Sequence, residues 1–133
     1  VGLPGDRIEI KKNRLIINGR PLTYTKIENQ EDNPNPEVFD IYLESYEDQS
    51  WRVIYDKAKS QKSLDPLVVP IGEVFLLGDN RDASEDSRYW GTVPITDIYG
   101  RVSVIWLSLD WQKKWAGHRF PHVRWERIFT KVQ

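Results

Sequence analysis

Apolar and polar positions alternate over short distances along this chain, with breaks supplied by turn residues. Arg7-Ile8-Glu9-Ile10 alternates, Lys11-Lys12-Asn13 is polar, and Leu15-Ile16-Ile17 is followed at once by Asn18-Gly19. Asn-Gly between β-branched runs is the strongest short hairpin signal, because both residues tolerate positive φ in a type I′ turn. Residues 7–25 therefore read as a meander of short strands. Phe39, Ile41, Leu43 and Ser45 alternate with Asp40, Tyr42, Glu44 and Tyr46, predicting a half-buried strand. Trp51 to Tyr55 continues in the same style after a turn at Asp48-Gln49-Ser50. Residues 28–37 and 56–66 are polar and carry prolines, as loops do. Leu67-Val68-Val69 and Glu73-Val74-Phe75-Leu76-Leu77 read as strands, the second apolar enough to be central and covered. Pro94 to Ile98 predicts a helical turn closed by Gly100. Arg101 to Leu107 predicts a strand with Val102, Val104 and Trp106 on one face. No segment sustains a long 3.6-residue period, so the fold class is all-β: antiparallel sheets, long loops and at most short helical turns. The expected organisation is a core formed by 1–25 and 67–133, with 26–66 inserted as a loop and β-hairpin subdomain.

Composition narrows the function classes. The chain has 133 residues, 39% of them apolar and 29% charged, with a net charge of −1. Neither disorder nor a nucleic-acid partner is called for. Without cysteine there is no disulfide framework and no thiol nucleophile. Only His118 and His122 are present, with Pro121 between them, so a His-based triad or metal site has no support; no cofactor or metal is expected. No apolar run approaches the ~20 residues that cross a bilayer. The absence of Met suggests a piece of a longer protein, though removal of an initiator Met would leave the same trace. Charge is uneven: Lys113, Lys114, Arg119, Arg124, Arg127 and Lys131 face only Glu126 in the Trp-rich tail. Such a tail suits either an anionic membrane surface or a solvated edge with snorkelling stems.

The densest polar cluster is Gly78-Asp79-Asn80-Arg81-Asp82-Ala83-Ser84-Glu85-Asp86-Ser87-Arg88, directly after an apolar strand and before Tyr89-Trp90-Gly91. By spacing alone it reads as a hydrogen-bonded loop with Asx-turns and an Asp86–Arg88 pair. Asp82, Ser84 and Asp86 imitate calcium-loop ligands, but Ser87 stands where Gly is required and Val93 where Glu is required. A carboxylate pair for glycoside chemistry lacks a defined partner acid. A serine-lysine hydrolase, in which a desolvated Lys activates a Ser, also fits the residue types.

The run from Gly78 to Gly91 resembles the last signature block of bacterial type I signal peptidases, serine peptidases with a Ser/Lys dyad. Val1-Gly2-Leu3-Pro4-Gly5-Asp6 resembles the latter half of another block, and Asn18-Gly19, Val93-Pro94, Gly100-Arg101 and Ile105-Trp106 follow in order. The resemblance is weak across 26–66. It implies a hydrolase that cleaves signal peptides from exported preproteins during secretion. The parent protein would be anchored in the cytoplasmic membrane, with its catalytic domain on the extracytoplasmic face. In the family the lysine lies a few residues before the position of Val1, and the nucleophilic Ser further upstream in a Ser-Met motif. The chain as given is therefore expected to be the C-terminal part of the catalytic domain, inactive alone. Loss of the upstream strands would leave sheet edges open to a non-native dimer. Carried over residue by residue, Ser84 would orient the lysine, Asp86 and Arg88 would brace the loop, and Gly78 would let backbone approach the lysine stem. Asp79 and Arg81 rank lower, as residues holding the loop. Trp111 and Trp115 are the membrane-facing candidates. A non-catalytic β-module and a conjugation-type pilin-processing relative are the alternatives.

Overall fold

In the computed structural model, residues 1–28, 33, 35–114 and 121–131 are described. The chain divides into two compact units, Val1–Ile98 and Tyr99–Gln133. The fold is all-β, as the alternation predicted.

The first unit opens with strands β1 (Arg7–Lys11), β2 (Arg14–Ile17), β3 (Arg20–Pro21) and β4 (Thr23–Ile27). Tight turns join the first three. Lys12-Asn13 and Asn18-Gly19 all have positive φ, which matches the twist of the strands they connect. The long hairpin β5 (Phe39–Tyr46) and β6 (Gln49–Asp56) follows, then β7 (Leu64–Val68) and the short β8 (Glu73–Val74). The hairpin turn is Glu47-Asp48, earlier than the predicted Asp48–Ser50, because Tyr46 pairs with Gln49. A single helical turn, α1 (Ser87–Trp90), precedes β9 (Val93–Pro94) and a 3₁₀ turn at Ile95–Asp97, where the sequence placed a helical turn. Strand order is β3-β2-β1-β7 in one sheet and β4-β5-β6 in another, with β8-β9 a separate pair.

The period-2 pattern of β1 and β2 places Ile8 opposite Ile17 and Ile10 opposite Leu15. These four, with Leu22, Val69 and Phe75, form the buried apolar cluster. β7 begins at Leu64, inside the stretch read as loop. Pro66, which has no N–H for a ladder, falls where the β1–β7 register shifts between Ile8 and Ile10. The predicted covered strand 73–77 is shorter than expected: regular pairing ends at Val74, and Phe75 makes only an isolated bridge to Gly2. The Leu76 amide then bonds to Ser87 of the following loop.

The second unit contains β10 (Val104–Ile105), β11 (Leu109–Lys114), β12 (Pro121–Val123), a 3₁₀ turn at Trp125–Arg127, and β13 (Thr130–Lys131). β10 pairs β13 and β11 pairs β12, all antiparallel. Only two residues of the predicted strand 101–107 are paired, and Val102, Val104 and Trp106 are all exposed. Apolar side chains spaced for a strand face have no covering layer there among the described residues.

Candidate functional site

The polar loop 78–88 is held at one end by β6 and at the other by Leu76, just past β8. The Ile54 amide of β6 donates to the Asp79 carbonyl, and the Arg81 amide donates back to Ile54, both at 2.9 Å. Asp82 accepts from the Asp56 amide at 2.9 Å. At the other end the Ser87 amide donates to the Leu76 carbonyl, and the Leu76 amide donates to Ser87 Oγ at 2.9 Å. The loop is thus pinned to the edge of the β4-β5-β6 sheet and to the end of the 73–77 segment.

Inside this frame Asp86 is the hub. It is the N-cap of α1, accepting from the Arg88 amide at 3.2 Å, as an Asp before a helical turn does. Its carboxylate takes the Arg88 guanidinium in a fork, Nε at 2.7 Å and Nη2 at 2.8 Å, the geometry that makes Arg–carboxylate pairs strong. The Gly78 amide donates to it at 2.9 Å. Burial opposes the charge of Asp86, but the Arg88 guanidinium and the Gly78 and Arg88 amides outweigh that and hold its pKa below the ordinary carboxylate value. Arg88 Nη2 also donates to the Arg81 carbonyl, tying the end of the loop to its middle.

Ser84 lies against Gly78. A Cβ at position 78 would sit 2.1 Å from Ser84 Oγ and 2.4 Å from its Cβ. Only glycine permits this approach, which is a different demand from the lysine-stem contact that the resemblance suggested. Ser84 is half-buried and makes no hydrogen bond among the described residues, so its hydroxyl is uncommitted there. The structure therefore brings Gly78, Ser84, Asp86 and Arg88 together. Of the membrane candidates, Trp111 belongs to β11 with its side chain outside the described residues, and the whole of Trp115 lies outside them.

The residues missed by pattern reading lie one layer below. The alternation of β5 placed Glu44 on the polar face, yet it is 0% exposed. Its two carboxylate oxygens bind Arg81, which is itself 4% exposed, Oε1 accepting from Nη1 at 3.0 Å and Oε2 from Nη2. Trp51 Nε1 donates to the same carboxylate, and Tyr55 Oη accepts from Arg81 while donating to the Asn13 carbonyl at 2.8 Å. Arg81 Nε donates to the Gly78 carbonyl at 3.2 Å. Burial opposes the Arg81 charge, but the bonds and charge of Glu44 prevail, so the guanidinium stays protonated. Burial and then the Glu44 charge push the Tyr24 phenol up, keeping it neutral. A signal was present in the sequence: Tyr42 and Tyr46 share the Glu44 face of β5, and Trp51, Val53 and Tyr55 share the facing side of β6. Rings on the supposedly polar face mark it as the covered one.

Sequence comparison groups this strand-rich chain with peptidases. The family described as "Signal peptidase, peptidase S26" matches residues 1–107, and the chain is a member of that family. It is 31% identical to signal peptidase I of Haemophilus influenzae over 154 aligned positions, covering 100% of this chain and 43% of that protein. Signal peptidase I of Pseudomonas aeruginosa is 35% identical, with 81% of this chain and 42% of that protein covered. Signal peptidase I of Buchnera aphidicola from Acyrthosiphon pisum is 40% identical over 57% of the chain and 27% of its own length. The chain thus spans less than half the length of each.

Proposed function

We propose that this chain forms the supporting part of a serine endopeptidase that removes signal peptides from exported preproteins, with a Ser/Lys dyad contributed by residues upstream of the position of Val1. The observation that carries the proposal is a direction. Gly2 and Phe75 exchange amide–carbonyl bonds of 2.7 and 2.9 Å as an antiparallel pair. Extending that pairing backward from Gly2 leads past Leu77 toward Gly78 and Ser84, where the family's lysine is expected.

In this reading the lysine amine is used neutral, and Ser84 Oγ accepts one of its N–H bonds. That leaves the amine lone pair aimed at the nucleophilic serine. The lysine takes the serine proton as the hydroxyl attacks the scissile carbonyl, and returns a proton to the departing amine. Gly78 gives Ser84 its place, and the Asp86–Arg88 fork keeps the loop from relaxing. Anchorage in the cytoplasmic membrane with the catalytic face outward belongs to the same proposal. Among the described residues no helix is long and apolar enough to cross a membrane. Contact of Trp111 and Trp115 with the lipid surface rests on the basic tail of the sequence. It predicts weaker binding to anionic liposomes for the double alanine variant, and unchanged binding would remove it. Self-association of the 1–133 chain through open sheet edges would appear as a dimer in sedimentation; a monomer would dismiss it.

The testing experiment is cleavage of a signal-peptide substrate by the full-length protein and by residues 1–133 alone. Ser84→Ala in the full-length protein is expected to lower kcat by about 10²-fold, the scale set by misplacing a catalytic group. Undiminished kcat would overturn the role of Ser84. Cleavage by 1–133 alone would place the nucleophile within this chain and overturn the proposed dyad.

A further inference from the structure

We infer that Glu44 is a positioning residue for Ser84, acting through Arg81, so that the β5–β6 hairpin sets the geometry of the site; the inference rests on the peptidase reading above. Glu44 and Arg81 are almost wholly buried and make a two-pronged pair. Arg81 carries that anchorage into the loop at three points. Its Nε donates to the carbonyl of Gly78, the residue against which Ser84 packs. Its own carbonyl accepts from Arg88, the partner of Asp86. Its amide is bonded to Ile54 of β6. Arg81 thus connects the beginning of the loop, where Ser84 rests, through its guanidinium, and the Asp86–Arg88 end through its carbonyl, while its side chain is held by Glu44 of β5 and its amide by Ile54 of β6.

A purely stabilising role is a poor explanation for this arrangement. Two ions removed from water repay their desolvation barely, and apolar side chains of similar volume would hold the hairpin and loop together as well. What apolar packing cannot supply is direction. Trp51 bonds the carboxylate and Tyr55 the guanidinium, and the rigid guanidinium fork adds a directed bond to the Gly78 carbonyl. A site whose hydroxyl must aim an amine lone pair needs tolerances of about 0.5 Å.

The test uses the full-length protein with Glu44→Gln, Tyr55→Phe and the apolar pair Glu44→Leu/Arg81→Met, measured against wild type and Ser84→Ala. Glu44→Gln is expected to lower kcat per folded molecule about 10-fold with KM nearly unchanged, since the loss lies in orientation rather than substrate binding. The acid limb of the kcat/KM profile is expected to move to higher pH, as a loosened loop admits water to the lysine amine. The Leu/Met pair should recover the melting temperature but not kcat. Tyr55→Phe removes one hydroxyl and should lower kcat in the same direction by less, which keeps the test open if Glu44→Gln folds poorly. Wild-type kcat in folded Glu44→Gln and Tyr55→Phe proteins would overturn the inference, as would recovery of kcat together with the melting temperature in the Leu/Met pair. Inactive wild type would bring down the peptidase reading as well. Active wild type and inactive Ser84→Ala, with Glu44 variants at full kcat, would bring down this inference alone.

Discussion

The two larger sheets of the first unit differ in what they bury. The β3-β2-β1-β7 sheet covers Ile8, Ile10, Leu15 and Ile17 with Val69 and Phe75, and its cohesion is the non-directional removal of apolar surface from water. The β4-β5-β6 sheet covers Glu44, which accepts from Trp51, and reaches Arg81 through Glu44 and Tyr55. Beside the buried Ile41 and Val53, its cohesion has a directional part, since each hydrogen bond is lost by a displacement that an isoleucine would tolerate. The sheet that touches the candidate site is the directional one. Apolar packing suits a frame that must merely be stable; a fork of hydrogen bonds suits a loop whose serine must point one way.

The largest effect expected from breaking this contrast is at Glu44. Glu44→Ala leaves the Arg81 guanidinium buried and unpaired and should cost about 3–5 kcal/mol in denaturant unfolding, while the Glu44→Leu/Arg81→Met pair should lie near wild type. If the single and double variants were equally unstable, the second core would owe its stability to the ion pair itself. Next comes the contact between the loop and its glycine. Gly78→Ala should destabilise by about 1–3 kcal/mol through overlap with Ser84. Ser84→Gly should restore most of that loss in the double variant, whereas Ser84→Ala, which retains the overlapping Cβ, should not. Additive costs in the cycle would show that Gly78 serves something other than Ser84.

Acid should act selectively on the directional region. The Asp86 pKa is lowered in the folded state, so its stabilisation is fully present above the unfolded value of about 3.9 and is lost as pH falls through the folded value. Thermal melts recorded downward from about pH 5 should fall, and Asp86→Asn should flatten that part of the curve. An unchanged slope in the variant would assign the acid sensitivity elsewhere. The smallest effect belongs to the apolar sheet. Ile8→Val should cost only about 0.5–1.5 kcal/mol and leave hydrogen exchange at the Gly78 amide unaltered, because that core is coupled to the loop by bulk rather than by direction. Faster exchange at Gly78 would show that the two cores are not separable.

The legibility of the chain follows the same division. Local patterns were enough for β1 to β3, since period-2 alternation and the Asn18-Gly19 turn act over neighbouring residues. The loop 78–88 was visible as a concentration of polar types, and its resemblance to a peptidase signature named the residues that come together as Gly78, Ser84, Asp86 and Arg88. Glu44 was misplaced because alternation says which residues share a face but not which face is covered. The run 101–107 was over-read for the same reason, its regular apolar spacing having no partner layer among the described residues. The Gly78–Ser84 contact was equally out of reach, being a clash of a hypothetical Cβ with a side chain brought back by the loop. What the amino-acid sequence by itself determined is the strand class, the tight turns and the identity of the loop, all carried by short-range chemistry. Tertiary structure alone decided which face of β5 is buried, that Arg81 rather than solvent receives Glu44, and where Ser84 rests, because each depends on residues far apart in the chain meeting in space.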